Sequence, residues 1–268
     1  MSVMTLDRAT VTRARTSVFV VFAAAGFSFS SWASRLPDIK RILDLTPGQL
    51  GTLLLAAAAG SVMGLPLSGR VIQAIGTRRT VLVGALASTL GIALAAVAVD
   101  VLHSYWVAWP ALFLCGVGMG TWDVAMNHEG AEVERGLGRA IMPWFHAAFS
   151  AATVVSALVG SALTALGVPV WVHLGVTAVL VASSVVLGVR GFLPIEDADQ
   201  ASAGASSGSA WLEPRTLLIG VVVLAAAFTE GSANDWVAVA MVEGHHLPAW
   251  LGVMGFAEFR NAAFGDLP

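Results

Sequence analysis

The sequence predicts an all-α, polytopic membrane bundle: one unit of six transmembrane helices and the opening of a second. Three observations predict it. The 268 residues are 57% hydrophobic and 12% charged, with a mean hydropathy of +0.80, too little polar surface to coat a soluble globule of this size. Apolar stretches close to the roughly 20 residues that cross about 30 Å of hydrocarbon recur along the chain, and most carry no Asp, Glu, Lys or Arg. The seventh stretch replays the first at a constant offset. Strands of a membrane barrel would alternate in polarity and run only about 10 residues, so helices are favoured.

The stretches lie near residues 17 to 34, 51 to 69, 80 to 99, 106 to 122, 141 to 166, 170 to 189 and 216 to 242. Arg13 and Arg15 before the first also fit a signal peptide, but the run exceeds the usual 7 to 15 residues and recurs later. The second holds Gly60, Gly64 and Pro66, and the fourth holds Pro110, Gly116, Gly118 and Gly120. With Ser156 and Gly160 in the fifth, these put small residues on single helix faces and let backbones approach closely. After Arg190 the composition changes: Pro194, Glu196, Asp197 and Asp199 lead into the Ala/Ser/Gly run from Ala201 to Ala210. That run lacks an apolar face and reads as a flexible linker. The expected organisation is residues 1–190 as a six-helix bundle, 191–215 as a cytoplasmic linker, and 216–268 as the first span of a second bundle with a short tail.

Arginine sets the orientation. Arg8, Arg13, Arg15, Arg70, Arg78, Arg79, Arg135, Arg139, Arg190 and Arg215 fall before the first span or in even-numbered loops, whereas odd-numbered loops hold only Arg35, Lys40 and Arg41. The amino terminus is expected in the cytoplasm and the protein in the cytoplasmic membrane. The single Cys115 precludes an intrachain disulfide and suggests no thiol metal site.

The repeat pairs Val20, Ala24, Ala25, Phe27 and Ser31 with Val221, Ala225, Ala226, Phe228 and Ser232, then Pro47, Leu50 and Gly51 with Pro248, Leu251 and Gly252. A repeat that restarts after six spans is the trace of a carrier built from two parallel halves. Ala257 still pairs with Ala56, but Glu258, Phe259, Arg260 and Asn261 stand where Ala57, Ala58, Ala59 and Gly60 would be matched. Only about seven apolar residues of an eighth span precede that break, short of the roughly 20 required. The expectation is a truncated carrier whose tail is not native to the fold and which transports nothing unless another chain supplies the missing half.

The loop between the second and third stretches reads Gly69-Arg70-Val71-Ile72-Gln73-Ala74-Ile75-Gly76-Thr77-Arg78-Arg79. It resembles the G-x-x-x-D-R-x-G-R-R loop of the major facilitator superfamily, with Gly69 and Gly76 in register, Arg78 and Arg79 one residue late, and Gln73 and Ala74 in place of the acid and base. A glycine turn with arginines held at an anionic membrane face is the alternative. Asp123-Val124-Ala125-Met126-Asn127, His146-Ala147-Ala148-Phe149-Ser150 and Trp32-Ala33-Ser34-Arg35-Leu36-Pro37 resemble the fucose–proton symporter branch of that superfamily. The resemblance implies a major facilitator fold and proton coupling at Asp123; the branch's acid in the first span has no counterpart near Ala33.

The residues themselves carry a parallel argument. A carboxylate at the end of an apolar helix tends to face a cavity or a partner. Asp123, Asn127 one turn later, and His146 entering the fifth span from the same side can meet, as a proton-coupling set or as a static clamp completed by Arg139. In the seventh span Glu230 and Asn234 share a face, and the expected role is solute binding between halves; Asp235 reads equally as part of that wall or as a helix end already in water. Trp32, Trp122 and Trp236 offer flat faces to a sugar ring or a cation, or belong to packing and the interfacial belt, where Trp106, Trp109, Trp144, Trp171, Trp211 and Trp250 sit. Arg35 reads as a snorkelling anchor at the outer rim, with anion binding as the second reading.

The candidate residues are therefore Asp123 and His146 for protons, Trp32, Asn127, Glu230 and Asn234 for solute, and Gly69, Gly76, Arg78 and Arg79 for the conformational loop. The expected partners are a small-molecule solute, a proton, the lipid bilayer and the missing half, with no organic cofactor, metal or nucleic acid. An intramembrane enzyme lacks an organised catalytic set: His128-Glu129 has no second His at zinc spacing, His245-His246 has no spaced acid, and Ser206-Ser207-Gly208 lies in the linker. A proton-coupled secondary transporter is the expectation; an exporter of the same superfamily and an inert fragment are the alternatives.

Overall fold

A computed structural model describes residues 7–194 and 214–265. The expected linker residues 195–213, with Ser206 and Trp211, and the final residues Asp266, Leu267 and Pro268 lie outside it. The described residues form nine α-helices and one 3-10 turn, with no strand among them: α1 (Arg8–Ala33), α2 (Leu36–Ile42), α3 (Pro47–Ile75), α4 (Thr77–Asp100), α5 (Tyr105–Leu137), α6 (Met142–Ala165), α7 (Val170–Gly188), the turn Val189–Gly191, α8 (Pro214–Gly244) and α9 (Ala249–Gly265). Seven of these, with α2 continuing α1, are long and apolar enough to cross a membrane; α9 is not among them. The seven fall on the seven apolar stretches, as expected of an all-helical membrane bundle.

Helix boundaries follow local chemistry. Thr46 opens α3 with a reciprocal capping box: its hydroxyl accepts from the Gln49 amide at 3.3 Å while its own amide donates to Gln49 Oε1 at 2.9 Å, and Pro47 follows in the first turn. One residue, Gly76, separates α3 from α4. Its φ of +79° lies where side chains are strained, so glycine makes this turn at little cost. The Glu134 carboxylate near the end of α5 accepts from the Ile141 and Met142 amides at 2.7 and 2.8 Å, and Asp100 accepts from Trp171 at 2.8 Å. Side chains at the ends of α5 and α4 thereby satisfy the open amides that begin α6 and α7.

α5 is the central element. Its 33 residues run about 50 Å at 1.5 Å each, well beyond the apolar stretch that ends at Trp122. Asp123 consequently lies within the helix and not at its end, a correction to the sequence reading. The residues that follow, such as Ala125, Met126, Glu129 and Glu132, are good helix formers, and polarity alone does not stop a helix. α5 packs between α3 and α4 through backbone. A Cβ on Gly116 would collide with the Ala57 carbonyl oxygen of α3, and one on Gly118 with the Ser88 amide of α4.

Two apolar cores stack along the bundle. Val18, Phe22, Trp122, Phe145 and Val185 fill the end nearer the start of α1. Leu36, Ile39, Leu53, Ile92, Leu112 and Leu174 fill the end that carries α2. Phe192 and Leu193 are buried in the first of these cores, so the bundle extends past the expected boundary at residue 190. The reason is Glu129, 1% exposed on α5, whose carboxylate accepts from the Leu193 amide at 2.7 Å and ties the chain to the bundle. Large apolar side chains such as Leu55, Val62, Leu90 and Val179 are exposed, the surface a bilayer covers.

Candidate functional site

Helices α8 and α9 meet the bundle at its α2 end. Ala238 of α8 and Phe256 and Ala257 of α9 join Ala33 and Ala157 in a small apolar cluster. Ser161 donates to the Trp250 carbonyl at 2.8 Å, and Lys40 of α2 pairs with Glu243 of α8. The earlier turns of α8, from Leu217 to Glu230, are exposed wherever described. Beneath this contact lies a cavity of about 240 Å³ bounded by α1, α3, α4 and α5 on one side and by α8 on the other. Its wall includes Trp32, Ser61, Cys115, Met119, Gly231 and Asp235.

Among the expected solute residues, Trp32 lines this cavity and the others do not. Asn234 is 6% exposed and faces the packed interior. Glu230, expected to share its face in the wall, is exposed on the surface of α8. The correction is one of helix phase: successive residues turn by 100°, and the face presented to the cavity is that of Gly231 and Asp235. Asp235 is thus the acid of the cavity. Trp122 is fully buried core, and Trp106, Trp109, Trp144, Trp171 and Trp250 are exposed near helix ends, as an interfacial belt requires.

Asp123, Asn127 and His146 come together further along α5 toward the start of α1, with Asp123 one turn beyond Met119 on the same helical face. Asn127 Nδ2 donates to the Asp123 carbonyl at 2.9 Å and to Asp123 Oδ1 at 3.3 Å. His146 is within electrostatic reach of that carboxylate and packs edge-on against Phe22, ring centres 5.2 Å apart. Arg139 is exposed beyond the end of α5 and closes no clamp among the described residues. The loop residues separate: Gly69 lies inside α3 in open space, while Gly76 alone forms the turn, with Arg78 and Arg79 exposed beside it.

Arg35 is no anchor at a rim. It is 1% exposed at the junction of α1 and α2, where Nε donates to His173 Nδ1 of α7 at 2.9 Å and Nη1 to Asp38 Oδ2 at 2.9 Å. Thr164 of α6 donates to the same Asp38 oxygen at 3.1 Å, and Arg41 reaches Oδ1 at 3.3 Å. The network ties α1, α2, α6 and α7 together at the α2 end. Arg35, Asp38 and Arg41 stand three residues apart in the sequence, but only the fold brings Thr164 and His173 to them.

Over residues 18–265 the chain matches the Major Facilitator Superfamily. It belongs to that family. The match within this superfamily runs through residues 258–265, which the repeat comparison had placed outside the fold. This facilitator chain is similar to an uncharacterized transporter of Sinorhizobium fredii, 31% identical over 88% of this chain and 62% of the relative. It is also similar to an uncharacterized MFS-type transporter of Yersinia pestis, 29% identical over 92% of the chain and 62% of the relative. The membrane protein MosC of Rhizobium meliloti is 22% identical over 91% and 58%. Among solved structures, that of the nucleoside transporter NupG aligns with a TM-score of 0.62 at 13% identity, over 93% of this chain and 62% of NupG, a likeness of fold. The chain spans about 62% of the length of the first two relatives.

Proposed function

We propose that this chain forms the first half and the opening of the second in a proton-coupled secondary transporter, which moves a small solute across the cytoplasmic membrane by alternating access. The observation that carries the reading is the cavity between the six-span bundle and α8, lined by Trp32 and Asp235 beneath the contact that holds the two together. Solute sites at the interface between halves are what carriers of two parallel units use. Membership of the superfamily and relatives named as transporters support transport over an intramembrane enzyme.

In this reading the α2 end faces outward and the amino terminus inward, as the arginine distribution favours. Asp123 carries the coupling proton, with Asn127 and His146 adjusting it; Trp32 contacts solute, and Gly76, Arg78 and Arg79 take part at the inner turn between α3 and α4. A further segment supplies the remaining spans. Proteoliposomes holding the chain, alone and co-expressed with such a segment, test it under an imposed pH gradient. The co-expressed pair accumulates solute and its Asp123→Asn variant binds or exchanges solute without accumulating it. Undiminished gradient-driven accumulation by Asp123→Asn would make Asp123 a structural residue only.

A further inference from the structure

Among the described residues the cavity wall holds one acid and no base. Asp235 lines it without an ion pair or hydrogen bond among the described residues, and it is the only ionisable group there besides Cys115. Among the described side chains, the arginines and the lysine of the α1–α2 corner are already engaged. Arg35 is committed to His173 and Asp38, Lys40 to Glu243, and Arg41 reaches Asp38. A carboxylate facing a largely apolar membrane space with no counter-ion is costly, and a cationic ligand relieves that cost where an anionic one increases it.

The rest of the wall says what the cation carries. Trp32 offers an indole, whose face attracts cations, and Met119, Leu54 and Ile92 offer apolar surface. Ser61 is the one hydroxyl among the described wall residues. A polyol or a sugar would leave most of its hydroxyls facing apolar side chains, each lost from water without a replacement partner. The described part of the cavity, about 240 Å³, is below the roughly 300–1,000 Å³ of ordinary ligand clefts and accommodates a small occupant. We infer that this cavity binds a small organic cation, its ammonium group between Asp235 and Trp32 and its apolar body against α3 and α5. The inference rests on the reading of the cavity as a solute site and adds to it the ligand's charge.

Saturable binding to the purified chain in detergent, measured by equilibrium dialysis, tests it with three probes of similar size: phenethylammonium, 2-phenylethanol and 3-phenylpropanoate. The cation is expected to bind about tenfold or more tightly than the alcohol, and the carboxylate not measurably. Asp235→Asn, which keeps the side-chain shape, should erase the preference for the cation over the alcohol, and Trp32→Leu should weaken the cation more than the alcohol. Helical content and monodispersity of both variants serve as folding controls. Equal binding of alcohol and cation in the wild type, unaffected by Asp235→Asn but blocked by Ala58→Phe in the cavity wall, overturns the inference while leaving the solute site standing. Absence of saturable binding by any probe overturns both.

Discussion

Arg35 holds the α2 end of the bundle by geometry as much as by charge. Its guanidinium sends Nε–H to His173 and Nη1–H to Asp38 from one rigid plane, and Thr164 satisfies the same carboxylate oxygen. Accepting that bond leaves the His173 proton on Nε2. Removing one partner of a buried pair leaves the other uncompensated, at a cost of about 3–5 kcal/mol. Arg35→Met is therefore expected to lower the thermal unfolding midpoint in detergent sharply, followed by circular dichroism. Arg35→Lys should recover little, because an ammonium cannot reproduce the two-directional fork; a lysine variant melting with the wild type would reduce Arg35 to a point charge. Glu129 makes a parallel case. Glu129→Ala strands the buried Leu193 amide and should cost about 1–3 kcal/mol, whereas Glu129→Gln keeps an acceptor and should cost less. Neither contact was legible in the sequence. Arg35 and His173 are 138 residues apart, and an arginine after an apolar run looks the same whether it snorkels or turns inward. Asp123 with Asn127 was legible, because four residues on one helix is a local relation.

Among the helices, backbone contact replaces side-chain interdigitation around α5. Gly116→Ala places a methyl against the Ala57 carbonyl and should force α3 and α5 apart, at about 1–3 kcal/mol as for other overpacked sites. Gly48→Ala, where a methyl meets nothing within 4 Å, is the control and should be neutral or slightly stabilising. Size-exclusion profiles after a temperature series in detergent compare the two. Gly118, grouped with Gly116 and Gly120 in the sequence, lies on the opposite face against α4, but the pairs Gly60/Gly64 and Gly116/Gly120 could be found from sequence because residues four apart share a helical face. The phase of α8 could not. Glu230, Asn234 and Asp235 all interrupt one apolar helix, and only the direction from which the bundle approaches decides that Asp235 enters the cavity and Glu230 does not.

At the scale of the molecule, the seven spans were legible because crossing hydrocarbon is a demand on length and polarity that each segment meets by itself. Orientation is testable on the same terms. In a Cys115→Ser background, Asp44→Cys is expected to react with an impermeant maleimide in intact cells, and Arg78→Cys only after permeabilisation. The reverse pattern would invert the topology.

The glycine contacts around α5 also divide the labour of the cavity. Main chain pressed on main chain has no rotamer to turn, so the spacing of α3, α4 and α5 is fixed by contacts that side-chain rotation cannot adjust. α8 touches the bundle through side chains such as Trp236, Val239 and Glu243, which can part and re-form. Asp235 rides on that second, releasable wall. In the proposed solute site, fit would then be set by the glycine-packed wall and charge by the α8 wall, so that an alteration of either could retune one criterion and leave the other in place.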